Sequence, residues 1–264
     1  MDKARGLPVD AIIFDLEDAV APEEKIQARE TLADTLATGG FGKRALLVRI
    51  NGLDTEWGAE DARAAAAMAC DAILVPKVGH PDDLDALAAI APDARLWAMM
   101  ETPAGVQNAT AIAAHPRLDG FVLGTNDLAK DLNCRFRADR LPMMMALQTC
   151  LMAASGAGKV CVDGVYNAFK DDDGLKIECE QGRDLGMDGK TLIHPAQIAT
   201  ANEAFGPSEE EVALARRQIS AFDEAISAGQ GVAVVDGQIV ENLHVATARA
   251  VLEKARMIEE LETT

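Results

Sequence analysis

The feature that most constrains this chain is a regular alternation. Short apolar runs, "AIIFDLE", "RALLVRIN", "AILVPKV", "RLWAMMET", "GFVLGTND", "KVCVDGVY" and "KTLIHP", are separated by Ala- and Leu-rich stretches of helical period such as "EEKIQARETLADTLAT", "PDDLDALAAIA" and "DDGLKIECEQGRDLG". Apolar runs without polar alternation belong to strands buried on both faces, and their alternation with helices makes those strands parallel. With no long polar linker between units, the expected architecture is an α/β barrel of the TIM (β/α)₈ type. A doubly wound open sheet is the alternative, disfavoured because no G-x-G-x-x-G follows the first run.

Nearly every run finishes on a polar or ionisable group: Asp15, Glu17 and Asp18, then Arg49 and Asn51, Lys77, Glu101, Asn126 and Asp127, Asp163, and His194. A single polar strand end is an ordinary exit into solvent. In barrels, however, the C-terminal strand ends share one mouth, and that is where chemistry sits. Carboxylates gathered there need cations or a metal to compensate them.

Glu101 and Asp127 end successive runs and suit Mg²⁺, which takes one or two protein carboxylates and fills its remaining positions with water and substrate oxygens. Ion pairing to Arg49 or Lys77 is the bland alternative. Four scattered histidines without an H-x-x-x-H argue against zinc. In "ETPAGV", Pro103 fits the first turn of a helix, and Ala104, Gly105 and Val106 are expected to offer free backbone N–H groups to an anion. Arg49 supplies a planar fork for a carboxylate or a developing oxyanion. The basic segment "KDLNCRFRADR", with Lys130, Arg135, Arg137 and Arg140, follows Asp127; it reads either as a phosphate-binding loop or as a solvated loop paired with Asp131 and Asp139.

Composition narrows the partners. The 264 residues are 49% hydrophobic, enough for a folded core, and contain no apolar run long enough to span a membrane. A net charge of −18 disfavours nucleic acid and anionic membrane surfaces. Five dispersed cysteines without a C-x-x-C pair, and an opening "MDKARGLPVD" without the apolar segment of a secretory signal, suggest reduced thiols and a cytoplasmic setting.

The pattern changes after Pro207. "SEEEVALARRQISAFDEAISAG" reads as a helix capped by Ser208, "VAVVDGQIVEN" as a hairpin turning at Asp236-Gly237, and "LHVATARAVLEKARMIEELE" as a last helix. Two domains are expected: a catalytic barrel over residues 1–206 and a helix-hairpin-helix arm, a lid or oligomerisation element, over 207–264.

The motifs "DLEDAVAPEEK", "VRIN", "METPAGV", "GTNDLAKDL", "DGV", "GMDGKTLIHPAQI" and "VVDGQIVENLHVATARAVLEKA" occur in order along essentially the whole chain. In them the sequence resembles the HpcH/HpaI aldolase and citrate lyase β-subunit family, in its malyl-CoA and citramalyl-CoA lyase branch, which includes malyl-CoA thioesterase. The resemblance implies a TIM barrel, a requirement for Mg²⁺ (with Mn²⁺ as a substitute), a coenzyme A thioester as substrate, and a homo-oligomer, trimer or hexamer. It implies Glu101 and Asp127 as metal ligands and Arg49, Glu17 and Glu241 as catalytic residues. Apart from the resemblance, the residues themselves make Pro103, Ala104, Gly105, Asn126, Lys130, Arg135 and Arg137 the expected substrate contacts. In the lyases an arm from a neighbouring subunit supplies a carboxylate, usually Asp, just before the last helix; here that residue is Glu241.

The leading expectation is a Mg²⁺-dependent lyase that cleaves a β-hydroxyacyl-CoA such as malyl-CoA into a 2-oxo acid and an acyl-CoA. Thioester hydrolysis to malate and CoA, and a citrate lyase β-subunit role on a carrier-protein thioester, are the alternatives. A non-catalytic metabolite-binding barrel is disfavoured by the Arg49, Glu101 and Asp127 set. Only seven strands are counted where a closed barrel needs eight, and "DKARGLPVDA" matches the end of the family's first helix. The chain is therefore expected to begin about twenty residues after the family's usual start, lacking the first strand. It is also expected to be less stable than a longer version, because an open sheet exposes two edges.

Overall fold

A computed structural model of the chain describes residues 2–262. Seven parallel strands pair strictly in chain order: β1 (Ala11–Asp15), β2 (Ala45–Arg49), β3 (Ala72–Val75), β4 (Leu96–Met100), β5 (Leu118–Leu123), β6 (Val160–Asp163) and β7 (Gly189–Lys190). Among the described residues, β1 and β7 are the end strands of the sheet. Helices α1 (Lys25–Thr38), α2 (Gly58–Ala67), α3 (Pro81–Ile90), α4 (Pro103–Gln107) with α5 (Ala109–Ala113), α6 (Thr125–Asp131), α7 (Met144–Gly156) and α8 (Asp172–Leu185) fill the connections. This is the α/β fold of the TIM-barrel type.

The apolar runs are buried because helices cover them: every residue of β3 is buried, and Leu47, Val48, Ala98, Phe121 and Cys161 from its neighbours join the core. Gly120 of β5 lets the ring of Trp97 on β4 approach, where a side chain would stand 2.8 Å from it; the β4–β5 register shifts at that pair.

The strands stop earlier than their apolar runs suggest. β1 ends at Asp15 and β3 at Val75, so Glu17 and Lys77 lie in the loops that follow. "GTND" is not a strand end: β5 stops at Leu123, Gly124 takes the N-cap position, and Asn126 and Asp127 sit in the first turn of α6. A carboxylate is favourable there against the helix dipole.

The chain divides into two compact units at the Ala201–Asn202 bond, a boundary within α9 (Ile198–Phe205). The second unit holds α10 (Glu209–Ser227), the antiparallel pair β8 (Ala233–Val235) and β9 (Gln238–Val240), and α11 (Asn242–Glu262). Ser208 and Glu211 form the capping box of α10. Asp236 and Gly237 both adopt positive φ, 50° and 78°, as a tight hairpin turn demands. Phe222, Val235, Val240 and Val245 make this unit's own core. Among the described residues no helix is long and apolar enough to cross a membrane.

Candidate active site

The register of β1 and β2 sets Asp15 opposite Arg49. Two hydrogen bonds join them, Nε to Oδ1 at 2.8 Å and Nη2 to Oδ2 at 2.5 Å, a bidentate pair. Arg49 Nη1 also lies 2.9 Å from Glu17 Oε2 and 3.5 Å from Asp18 Oδ2. Burial pulls the Asp15 carboxyl upward, but the hydrogen bond and charge of Arg49 outweigh it and hold the group below the usual carboxylate range. The contact between Arg49 and Glu17 lacks hydrogen-bond alignment, which leaves Glu17 Oε2 a buried acceptor without a donor. Burial also raises the Glu17 carboxyl.

Lys77 bridges two acids. Its Nζ reaches Glu17 Oε1 at 3.0 Å, and its backbone N–H donates to Glu101 Oε1 at 2.8 Å. Glu101 is 2% exposed and is in no ion pair among the described residues, so the bland alternative of pairing to Arg49 or Lys77 does not hold for it. Burial above all, then the charges of Glu17 and Asp127, push its carboxyl up to about 7 against the pull of the Lys77 amide. Asp127 has no protein partner for its carboxylate among the described residues.

Five carboxylates (Asp15, Glu17, Asp18, Glu101 and Asp127) thus face two cations, Arg49 and Lys77. The imbalance is what a hard divalent cation would correct. Glu101 and Asp127, the two acids without a cationic partner, would be the oxygen donors left for such an ion. Among the described residues no group of three or more His, Cys, Asp or Glu side chains is arranged for a metal. A two-carboxylate site completed by water and substrate oxygens fits the residues present.

Other expected residues are placed differently. Thr102 caps α4: its Oγ1 accepts from Gly105 N at 3.0 Å, and its carbonyl accepts from Val106 N at 3.1 Å. The three-amide cradle expected of "ETPAGV" therefore reduces to the Ala104 N–H. Pro103 occupies the first turn as expected, and Gly105 is required by the Val78 carbonyl packed against it. Asn126 exchanges hydrogen bonds with Asn167 at 3.2 and 2.7 Å.

In the basic segment, Arg137 is taken by Asp139 at 2.9 and 2.6 Å, the solvated pairing expected as the alternative. Lys130 and Arg135 are exposed, without side-chain partners among the described residues. Arg140 turns inward to Asp163 at 2.7 and 2.6 Å. Asp163, fully buried, also receives Lys190 Nζ at 3.1 Å, so it is the hub of an internal ion network rather than part of the mouth. Asn51 is likewise structural, donating to Leu16 O and to the buried Asp61. His194 is exposed and stacks on Phe169. Glu241 lies in the second unit at the start of α11, its N–H donating to His244 Nδ1 at 3.0 Å.

Sequence reasoning missed Lys25. Its Nζ is buried and donates to the carbonyls of Leu16 and Glu17 at 3.0 and 2.8 Å, beneath the face of Trp57, and so fixes the acid-bearing segment after β1. Its place inside "DLEDAVAPEEK" was the available signal.

The parallel sheet, the arginine-bridged acidic mouth and the two carboxylates without a cationic partner place the chain among α/β proteins of the TIM-barrel type. Residues 1–195 match the HpcH/HpaI aldolase/citrate lyase family, and the chain belongs to it. It is 61% identical over 258 residues to a (3S)-malyl-CoA thioesterase of Cereibacter sphaeroides, covering 98% of this chain and 90% of that protein. It is 32% identical to an L-malyl-CoA/β-methylmalyl-CoA lyase from the same species, covering 97% and 91%. Among solved structures it resembles the protein CitE of Mycobacterium tuberculosis in complex with magnesium, acetoacetate and coenzyme A, with a TM-score of 0.79, 32% identity, and coverage of 94% and 90%.

Proposed function

We propose that this chain is a thioester hydrolase acting on a malyl-CoA-type substrate, releasing malate and CoA. The observation that carries this reading is the contrast between 61% identity to a thioesterase and 32% to a lyase, each over nearly the whole chain. The proposal reverses the order of the two activities expected from sequence motifs alone.

Glu101 and Asp127 are proposed to hold Mg²⁺, or Mn²⁺ in its place. When bound, the ion would supply a Lewis acid for substrate oxygens. Arg49, fixed in orientation by Asp15, would stabilise negative charge developing on the thioester carbonyl oxygen. Water adds to that carbonyl carbon, the C–S bond breaks, and the leaving thiolate takes up a proton. Glu17 and Glu241 are the candidate proton-transfer carboxylates, Glu241 contributed by a neighbouring copy in a trimer or hexamer. Ala104 N–H and Asn126 would contact the acyl portion, whereas Lys130 and Arg135 carry the free charge to meet the CoA phosphates. Carbon–carbon cleavage is the second reading, favoured by family membership. Incubation with malyl-CoA and Mg²⁺ separates them: malate with free CoA supports hydrolysis, and glyoxylate with acetyl-CoA supports the lyase.

A further inference from the structure

We propose that Lys77 is a positioning residue whose left-handed backbone aims Glu101 at a bound cation. The inference rests on the reading of Glu101 and Asp127 as cation ligands. Lys77 has φ of 52°, a conformation that residues with a Cβ rarely adopt outside Asn and Asp. Such a conformation persists only where the surroundings enforce it. Here they do so on the C-terminal side. The Val78 carbonyl is packed so tightly on Gly105 that no Cβ could stand there, and the Gly79 carbonyl accepts Asn108 Nδ2 at 2.7 Å.

The consequence falls on one carboxylate. With φ positive, the Lys77 amide points at Glu101 Oε1 at 2.8 Å. Glu101 Oε2 faces Gly124, where a side chain would come within 2.6 Å of it. One oxygen is thereby committed to the protein, and the rotation of the carboxylate is fixed. The Lys77 ammonium acts separately. Its side chain is 55% exposed and reaches Glu17, so backbone and charge can be tested independently.

The test is calorimetric titration of Mg²⁺ into EDTA-stripped full-length protein, with the melting temperature of each variant recorded alongside. Lys77→Gly, Lys77→Ala and Lys77→Val all delete the same charge. Glycine enters the left-handed region freely and keeps the amide, whereas β-branched valine is driven out of it. Lys77→Gly should bind Mg²⁺ as tightly as the wild type, or more tightly because a nearby positive charge is gone. Lys77→Val should bind about tenfold or more weakly, the usual cost of losing a partner that orients a ligand, with Lys77→Ala between them. Equal affinity of the Val and Gly variants would overturn the proposal. If the Val variant does not fold, equal affinity of the Ala and Gly variants would do so. A purely structural role would lower the melting temperature without separating the affinities. Wild-type protein that fails to bind Mg²⁺, or an Asp127→Ala variant that binds like the wild type, would instead overturn the cation site itself.

Discussion

Gly124 leaves the space that Glu101 occupies: a Cβ there would stand 2.6 Å from Glu101 Oε2 and closer still to its Cβ. The glycine of "GTND" is therefore a requirement of the neighbouring strand end. Gly124→Ala should displace Glu101, lower Mg²⁺ affinity by about tenfold or more, and destabilise the fold by about 1–3 kcal/mol through overpacking. Calorimetric titration and thermal melting check both parts.

The Glu101 carboxyl, raised to about 7 from 4.5 chiefly by burial, gives a signed pH dependence. The metal-free folded state binds more protons than the unfolded chain between those values. Its contribution to stability is therefore full below 4.5 and lost as pH rises through about 7. A cation needs the ionised form, so protons compete with it. The rise in melting temperature on adding Mg²⁺ should be larger at about pH 8 than at about pH 5.5. Equal shifts at both pH values would contradict the assignment.

Arg49→Lys keeps the charge and loses the fork. The bidentate pairing with Asp15 cannot be rebuilt by one ammonium. Turnover is expected to fall on the order of 100-fold, with stability reduced by about 1–2 kcal/mol. Steady-state kinetics and melting curves are the measurements.

Glu241 is exposed, so Glu241→Gln should leave the melting temperature and Mg²⁺ affinity unchanged while cutting turnover. If a neighbouring copy supplies it, mixing inactive Glu241→Gln protein with inactive Asp127→Asn protein should restore part of the activity. Sedimentation should then show a trimer or hexamer. A fully active monomer would contradict this arrangement.

The fold was readable where burial on both faces imposes composition, as in β2 to β6, and where turn chemistry is local, as at Asp236-Gly237. Strand ends were not, because a parallel strand stops where its neighbour's hydrogen bonds stop; hence Asn126 and Asp127 belong to α6. Of the mouth residues, Arg49, Glu17, Glu101 and Asp127 could be named from their positions after apolar runs. Lys25, Arg140 and Lys190 could not be recognised as buried cations. Their partners are backbone carbonyls, and side chains 12 to 41 residues away, and such pairings leave no periodic trace. The Gly105 amide was misassigned because Thr102, three residues earlier, caps it.

Hydrolysis of the thioester, as against carbon–carbon cleavage, is tested most directly by isotope incorporation. Malyl-CoA turned over in ¹⁸O-water with Mg²⁺ should yield malate carrying one solvent oxygen in the carboxylate that had been the thioester, together with an equal amount of free CoA thiol. Acetyl-CoA and glyoxylate accumulating in place of labelled malate would contradict the proposed activity.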